Sequence, residues 1–240
     1  MVESRLQPQL GDRSPAGSVE LLGRAIHRVR NLLMSVRGFA ELIAISSVGD
    51  PEHRRWAGRI VEQVDRLESL QSRVDGALRV AAEPGYHSMA MIARAAVERS
   101  RIRIQGPAAE IPVEVRVVED LVVRVDGEDL AEAVAAVIDN AREATANSGS
   151  TDPVEVQLSS DTDQEWALHI RDRGQGLAPE DQSRLGEAFF TRKAGHLGLG
   201  IFLSQALLDR HGMQLDIEAS GRGGTVARIR ERRMPAGGNR

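Results

Sequence analysis

The apolar residues in the first third of the chain recur every seven positions, and this repeat constrains the fold more than any other feature. It runs from Ser18 to about Ser46 and indicates an amphipathic helix. Its heptad positions a, d and e are occupied, in that order, by Leu22, Val29, Val36 and Ile43; by Ala25, Leu32 and Phe39; and by Ile26, Leu33 and Ala40. A stripe this broad is typical of a helix in a bundle rather than of a two-stranded coiled coil.

A second long helix is predicted from about Pro51 to Ala82, after a break at Val48–Pro51 where glycine and proline cluster. Its apolar stripe consists of Ile60, Val64, Leu67, Leu70, Val74 and Leu78. Two helices of about 45 Å each, joined by a short connection, form an antiparallel hairpin. One hairpin cannot bury both stripes, whereas two copies in a four-helix bundle can. We therefore predict a homodimer that forms through this hairpin.

The sequence pattern changes after Glu83-Pro84-Gly85, which is the predicted domain boundary. Beyond it, helices and largely adjacent strands predict an α+β sandwich, with helices on one face of a mixed sheet. The predicted helices are Met89–Val97, Glu128–Thr145 and Leu199–Arg210, and the predicted strands are Val113–Val118, Leu121–Val125, Val154–Ser159, Trp166–Ile170, Gln214–Glu218 and Thr225–Arg230. The predicted organisation is a flexible lead-in (1–16), an all-α helical hairpin (17–83), an α+β domain (84–234) and a tail (235–240).

The composition of the 240 residues excludes several classes of protein. A net charge of −4 argues against a general nucleic-acid binder. The absence of cysteine excludes disulfides and thiolate metal sites. We find neither an apolar run of about 18 residues nor a signal peptide, and therefore expect a cytoplasmic protein with no membrane partner.

His27 is the first candidate for chemistry. It falls at heptad position f, directly opposite the apolar stripe, so solvent should reach its ring. Taken alone, it could equally be an ordinary surface histidine. An exposed, neutral imidazole nitrogen is nevertheless what phosphoryl transfer to histidine requires.

Asp139–Ala144, at the end of a predicted amphipathic helix, is the second candidate, although taken alone it could be only a helix that carries an asparagine near its end. Three glycine-containing segments of the predicted α+β domain are further candidates. Asp172-Arg173-Gly174-Gln175-Gly176 directly follows a predicted strand, where a carboxylate can accept a hydrogen bond from an adenine amino group and the glycines permit a sharp turn. Gly195–Ile201 precedes a helix whose N-terminal N–H groups suit phosphates, and Lys193 can reach a polyphosphate. Gly223-Gly224-Thr225 precedes the last strand. Each segment, taken alone, could be only a glycine-rich turn or loop.

Taken together, these segments resemble the conserved boxes of bacterial two-component sensor histidine kinases, in the family's order. Ile26–Leu33, continuing through Gly38–Leu42, resembles the H box, and Asp139–Ala144 resembles the N box. Asp172–Gly176, Phe189–Lys193 and Gly195–Ile201 resemble the G1, F and G2 boxes. The resemblance covers roughly residues 18 to 230. It implies a HisKA-like dimerisation hairpin followed by a Bergerat (GHKL, HATPase_c) ATP-binding domain.

The resemblance also implies roles for individual residues. His27 would be the phosphorylated nucleophile, Asn140 would bind Mg²⁺ through its amide oxygen, Asp172 would read adenine and Thr225 would help through water. The complete set of implied ATP-binding residues is Asn140, Glu143, Asp172, Gly174, Gly176, Lys193, Gly198, Leu199, Gly200 and Thr225. The implied cofactors are ATP and Mg²⁺, and the implied partner is the receiver domain of a response regulator.

Gly195–Leu207 is also similar to the redox-responsive Reg/Prr branch of the family. The chain has no cysteine, so redox sensing is not carried over. No sensor domain fits in the roughly 17 residues before the first helix. The signal is therefore expected from a separate sensor subunit, from the hairpin itself or from a region outside these 240 residues.

The H box departs from the family pattern at its most important position. Family members commonly have an acidic residue after the histidine, and here Arg28 stands there, which cannot act as a base. Leu32 replaces a usual proline, and Ala136 replaces the first asparagine of the N box. Asn31 matches a position associated in relatives with dephosphorylation of the partner.

Three functions therefore remain open at this point. The chain could be an autophosphorylating histidine kinase. It could be an ATP-binding adaptor, or a pseudo-kinase biased towards phosphatase activity. It could also be a plain ATPase of the wider Bergerat superfamily that carries a structural hairpin.

Overall fold

The computed structural model describes residues 34, 36–45, 50–78, 82–160, 166–193, 198–221 and 223–232. The chain divides into two units, Met1–Leu78 and Arg79–Arg240. None of the described helices is both long enough and apolar enough to cross a membrane.

Apart from Asp50, the described residues of the first unit are helical. Residues 36–45 form α1, and α2 spans Pro51–Leu78. Asp50 caps α2, because its Oδ1 accepts hydrogen bonds from the backbone N–H groups of Glu52 (2.9 Å) and His53 (3.3 Å). The predicted extension of this helix to Ala82 is wrong at that last residue, which is not helical.

In the first unit, some residues of the predicted apolar stripes are buried and others are exposed to solvent. Ala40, at heptad position e, is 1% exposed, and Val64 and Val74 of α2 are also buried. By contrast, Phe39 at position d is 67% exposed, and Val36 and Ile43 at position a are about half exposed. A single chain thus leaves the described a and d positions largely uncovered.

The second unit is an α+β sandwich, as predicted. A five-stranded sheet has the order β2-β4-β5-β7-β6, in which only β2 and β4 run parallel, and β1 pairs with β3 in a separate two-stranded sheet. The strands are β1 Gly85–Ser88, β2 Val113–Val117, β3 Val122–Val125, β4 Val154–Ser160, β5 Trp166–Arg171, β6 Met213–Ala219 and β7 Thr225–Glu231. The helices are α3 Met89–Arg103, a 3₁₀ turn Gly106–Glu110, α4 Gly127–Asn147, α5 Pro179–Gln182 and α6 Gly200–Arg210.

One face of the large sheet forms the core with the helices. In the cross-strand row Val156–Ile170–Ala227, and in the row Leu158–Leu168–Ile229, every residue is buried. In the part of the chain that the structure describes, α4 is the helix with the most buried residues, and it packs on α3 and α6. This packing holds α4 over the strand ends that carry the candidate residues.

Sequence reasoning missed three short elements, namely β1, the 3₁₀ turn and α5, and it ended α3 six residues early. The missed strand Gly85–Ser88 has the sequence GYHS, which contains no β-branched residue. Its pairing with β3 comes from tertiary structure rather than from local propensity.

Candidate functional site

Asp172 lies immediately after β5, where this strand meets the start of β7. Its backbone N–H donates to the Thr225 carbonyl (3.0 Å), and its side chain is buried. Its Oδ1 accepts hydrogen bonds from the backbone N–H groups of Gly174 (2.8 Å) and Thr225 (3.1 Å). The carboxylate is therefore held in a fixed orientation by the turn that follows it and by the neighbouring strand.

Three glycines allow the backbone to close around this carboxylate. Gly224 has φ +79°, and a Cβ there would stand 2.1 Å from the Asp172 carbonyl oxygen. Gly176 has φ +81° and lies against the carbonyl of Gly224, and a Cβ at Gly174 would stand 2.8 Å from the Cβ of Ala144 in α4. These contacts bring the turn after β5, the start of β7 and helix α4 together.

Asn140 and Glu143 lie on α4 and converge on the ammonium group of Lys193. The Lys193 Nζ atom is 2.6 Å from Asn140 Oδ1 and 3.0 Å from Glu143 Oε2. An amide oxygen and a carboxylate oxygen that face one cation form a donor set of the kind Mg²⁺ accepts. No group of three or more His, Asp or Glu that could hold a metal occurs among the described residues, so these two oxygens would need phosphate oxygens beside them.

Helix α4 is held firmly, and this fixes the direction in which Asn140 points. At its start, Asp126 caps the helix through the N–H groups of Glu128 and Asp129. Next to Asn140, the Asp139 carboxylate accepts from Arg103 Nε at 2.6 Å. The buried guanidinium of Arg142 donates to the Ile111 carbonyl, the Ser100 hydroxyl and the Ala109 carbonyl, and so ties α4 to α3 and the 3₁₀ turn.

The glycines predicted to contact phosphates lie at the start of α6. Gly200 is its first residue, Leu199 before it is buried, and Gly198 has φ +66°. Leu199 makes no side-chain cap hydrogen bond, so no side chain of the cap residue covers the first N–H groups of this helix. Helix α6 is linked to α4, because Ser204 Oγ donates to the Ala133 carbonyl. It is also close to the segment that carries Lys193, because a Cβ at Gly198 would stand 2.5 Å from the Phe190 carbonyl oxygen.

The structure thus assembles the predicted residues into three groups. Asp172, Gly174, Gly176 and Thr225 form one group, and Asn140, Glu143 and Lys193 form the second. The two groups adjoin, because Gly174 packs on Ala144. Gly198, Leu199 and Gly200 form the third group. His27, Arg28 and Asn31 lie outside the described residues.

Burial raises the pKa of Asp172, although hydrogen bonds from Gly174 and Thr225 and the positive charge of Lys193 oppose this shift. Because the folded-state pKa lies above the unfolded value, the folded protein binds more protons between the two values. Stability therefore falls as pH rises through that window.

Asp172→Asn removes this titration, and its amide oxygen can still accept from Gly174 and Thr225. We expect the wild type to lose stability relative to Asp172→Asn as pH rises from below the ordinary carboxyl pKa through the window. Denaturant unfolding of both proteins at a series of pH values measures this difference. A difference in unfolding free energy that stays constant with pH would contradict the assignment.

Comparison with known proteins identifies the class that this fold and site define. Residues 125–233 match the family model described as "Histidine kinase-, DNA gyrase B-, and HSP90-like ATPase". The resemblance predicted from the sequence, to bacterial two-component sensor histidine kinases, is confirmed by relatives that bear this name, whereas its HisKA-like hairpin stays a prediction.

Among these relatives, the histidine-protein kinase AtoS of Escherichia coli (strain K12) is 26% identical over 80% of this chain and 31% of its own length. The sensory histidine kinase/phosphatase NtrB of Salmonella typhimurium is 26% identical over 88% of this chain and 61% of its own. The chain thus spans less than two thirds of the length of these curated relatives.

Solved structures show the same fold. The mycobacterial sensor histidine kinase MprB superimposes with a TM-score of 0.52 at 27% identity, over 63% of this chain and 99% of that structure. Full-length ShkA, solved in complex with AMPPNP, gives a TM-score of 0.63 at 22% identity, over 88% of this chain and 45% of that one.

Sequence reasoning missed an ion pair beside the candidate site. Arg192 lies in the F-box segment Phe189–Lys193, and the sequence alone indicates no partner for it. In the structure it contacts Asp181 of α5 through two hydrogen bonds. No periodicity links these residues, so only their charges could have indicated the pair.

Proposed function

We propose that the chain is a protein-histidine kinase that uses Mg²⁺-ATP to phosphorylate His27 and passes the phosphoryl group to an aspartate of a response regulator. The observation that carries this proposal is the adjacency of two groups, the buried Asp172 carboxylate and the oxygens of Asn140 and Glu143. Two adjoining groups of this kind suit a nucleotide whose base contacts one group and whose metal-bound phosphates contact the other. The ATPase family of residues 125–233 supports it.

Each group has a role in binding the nucleotide. Asp172 would accept a hydrogen bond from the adenine amino group, with Thr225 beside it, and Gly174 and Gly176 would let the backbone approach the base. Asn140 and Glu143 would hold the metal. Lys193 and the N–H groups around Gly198, Leu199 and Gly200 would bind the phosphates. When bound, Mg²⁺-ATP would supply the phosphoryl group that an imidazole nitrogen of His27 accepts.

We further propose that residues 17–83 form a hairpin that dimerises, with 84–234 as the ATP-binding domain. Support comes from the first unit, where Phe39 is 67% exposed and Val36 and Ile43 are about half exposed. A second copy would cover these apolar side chains, as in a four-helix bundle. The receiver domain of a response regulator, and a separate sensor subunit, would be further partners. The cytoplasmic location stays a prediction.

Incubation with γ-labelled ATP and Mg²⁺ tests the proposed reaction. We expect label that is stable to base and lost in acid, which is the behaviour of a phosphorylated imidazole. A chain that binds Mg²⁺-ATP but acquires no label would rule out the kinase. ATP turnover that does not depend on His27 would instead favour the plain ATPase.

Arg28 favours a second candidate function, an ATP-binding adaptor or phosphatase-biased pseudo-kinase. An arginine beside His27 cannot accept the proton that the imidazole loses. One relative bears the name of a kinase and phosphatase, and Asn31 matches the position linked to dephosphorylation. An Arg28→Glu variant separates the two functions. Label that appears only in this variant would assign the adaptor or phosphatase role to the natural chain.

A further inference from the structure

Arg192, the residue before Lys193, forms a bidentate ion pair with Asp181. Its Nε donates to Asp181 Oδ2 at 2.6 Å, and its Nη2 donates to Asp181 Oδ1 at 2.8 Å. The Asp181 side chain is largely buried, whereas that of Arg192 is mostly exposed. A parallel fork of this kind fixes geometry as well as charge.

The segment from α5 to Lys193 is also held close to its surroundings. Gly186 has φ +87°, and a Cβ there would overlap the side chain of Gln205 in α6. A Cβ at Gly198 would stand 2.5 Å from the carbonyl oxygen of Phe190, whose ring lies 4.1 Å from the Arg184 guanidinium. Phe189 adopts φ +68°, a conformation that costs a non-glycine residue energy and persists only where the surroundings impose it.

Arg192 and Lys193 are consecutive but contact different elements. Arg192 reaches α5, whereas Lys193 reaches Asn140 and Glu143 of α4. The backbone N–H of Lys193 is also held, by the Thr191 hydroxyl at 3.0 Å. The Cα atoms of Arg192 and Lys193 are adjacent. The bidentate contact of Arg192 with Asp181 therefore fixes the backbone position from which the Lys193 side chain extends.

We propose that Asp181 and Arg192 are positioning residues that set Lys193 for the terminal phosphate and thereby determine how strongly the site prefers ATP over ADP. This inference rests on the proposed function, since it assumes a nucleotide beside Asn140. A role in overall stability is a poor alternative, because an ion pair with one exposed partner contributes little to the free energy of unfolding.

Calorimetric titration of the full chain with ATP and with ADP, both with Mg²⁺, tests the proposal. Lys193→Ala should reduce the ratio of ATP to ADP affinity about tenfold, as expected for one hydrogen bond to a charged group. Asp181→Asn keeps the shape of the side chain but loses the carboxylate, and Arg192→Lys keeps the charge but loses the fork. Each should lower the ratio roughly three- to tenfold while ADP affinity changes by less than about twofold.

Two further variants test whether the change in the ATP-to-ADP affinity ratio is specific to the contact between Asp181 and Arg192. Glu98→Gln removes the acid of the exposed pair with Arg101 in α3, and it should leave the ratio unchanged. In a Lys193→Ala background, Asp181→Asn should have no additional effect, because the two substitutions act through the same contact.

The outcomes separate this inference from the proposed function. A wild-type ratio in both Asp181→Asn and Arg192→Lys, or an equal loss of ATP and ADP affinity, overturns the positioning role alone. A wild-type chain that binds neither nucleotide overturns the proposed function, and this inference with it.

Discussion

His27→Ala is expected to reduce labelling from γ-labelled ATP to background, a loss of at least about a thousandfold, which is the scale of removing a nucleophile. The reason is that the imidazole nitrogen forms the bond to phosphorus, and alanine offers no atom that can replace it. ATP affinity should remain within about twofold of the wild type, because the residues proposed to bind the nucleotide all lie in 140–225.

His53 provides the matched control. It lies on α2 and is exposed, and its Nδ1 atom is 2.8 Å from Asp50 Oδ2. His53→Ala should leave both the amount of label and its acid lability unchanged. Label that persists in His27→Ala would assign the phosphorylated residue elsewhere and would refute the H-box interpretation.

Gly224→Ala is expected to destabilise the second unit by at least about 3 kcal/mol and to abolish measurable ATP binding. The added Cβ would stand 2.1 Å from the Asp172 carbonyl oxygen, in a residue whose φ is +79°. Relief of this overlap would separate β7 from the turn that carries Asp172 and so displace the carboxylate. Denaturant unfolding and ATP titration of the same preparation measure both effects.

Substitution of the neighbouring Gly223 is the matched control, because it tests backbone strain without steric overlap. Gly223 has φ +85°, but a Cβ there would meet no atom within 4 Å. Gly223→Ala should therefore cost only about 1 kcal/mol, from the backbone conformation alone. If the two substitutions cost the same, the close approach of Gly224 to Asp172 is not what shapes the site.

The sequence was sufficient to predict the features that follow from periodicity and local chemistry. The apolar residues of segments such as Val154–Ser159 predict strands, and the apolar face of Glu128–Thr145 predicts the helix that carries Asn140. Asp172 could be singled out because a carboxylate and two glycines directly follow a strand. These signals are local, so they can be recognised from the sequence without knowledge of the tertiary structure.

Contacts between residues distant in sequence could not be predicted in this way. The 2.6 Å contact of Lys193 with Asn140 joins residues 53 positions apart, and the contact of Arg103 with Asp139 joins residues 36 apart. Both depend on how α4 packs against its neighbours. The strand Gly85–Ser88 was missed for the same reason, since its partner strand, Val122–Val125, supplies the order that its own residues lack.

The most direct test of a magnesium-nucleotide site beside Asp172 and Asn140 is a calorimetric titration with ATP, in excess Mg²⁺ and again in a chelator. We expect Mg²⁺ to raise ATP affinity at least about tenfold in the wild type and in Asn147→Ala, a control on the same helix. In Asn140→Ala this gain should disappear. No binding of ATP by the wild type, or an equal Mg²⁺ effect with and without Asn140, would contradict the site.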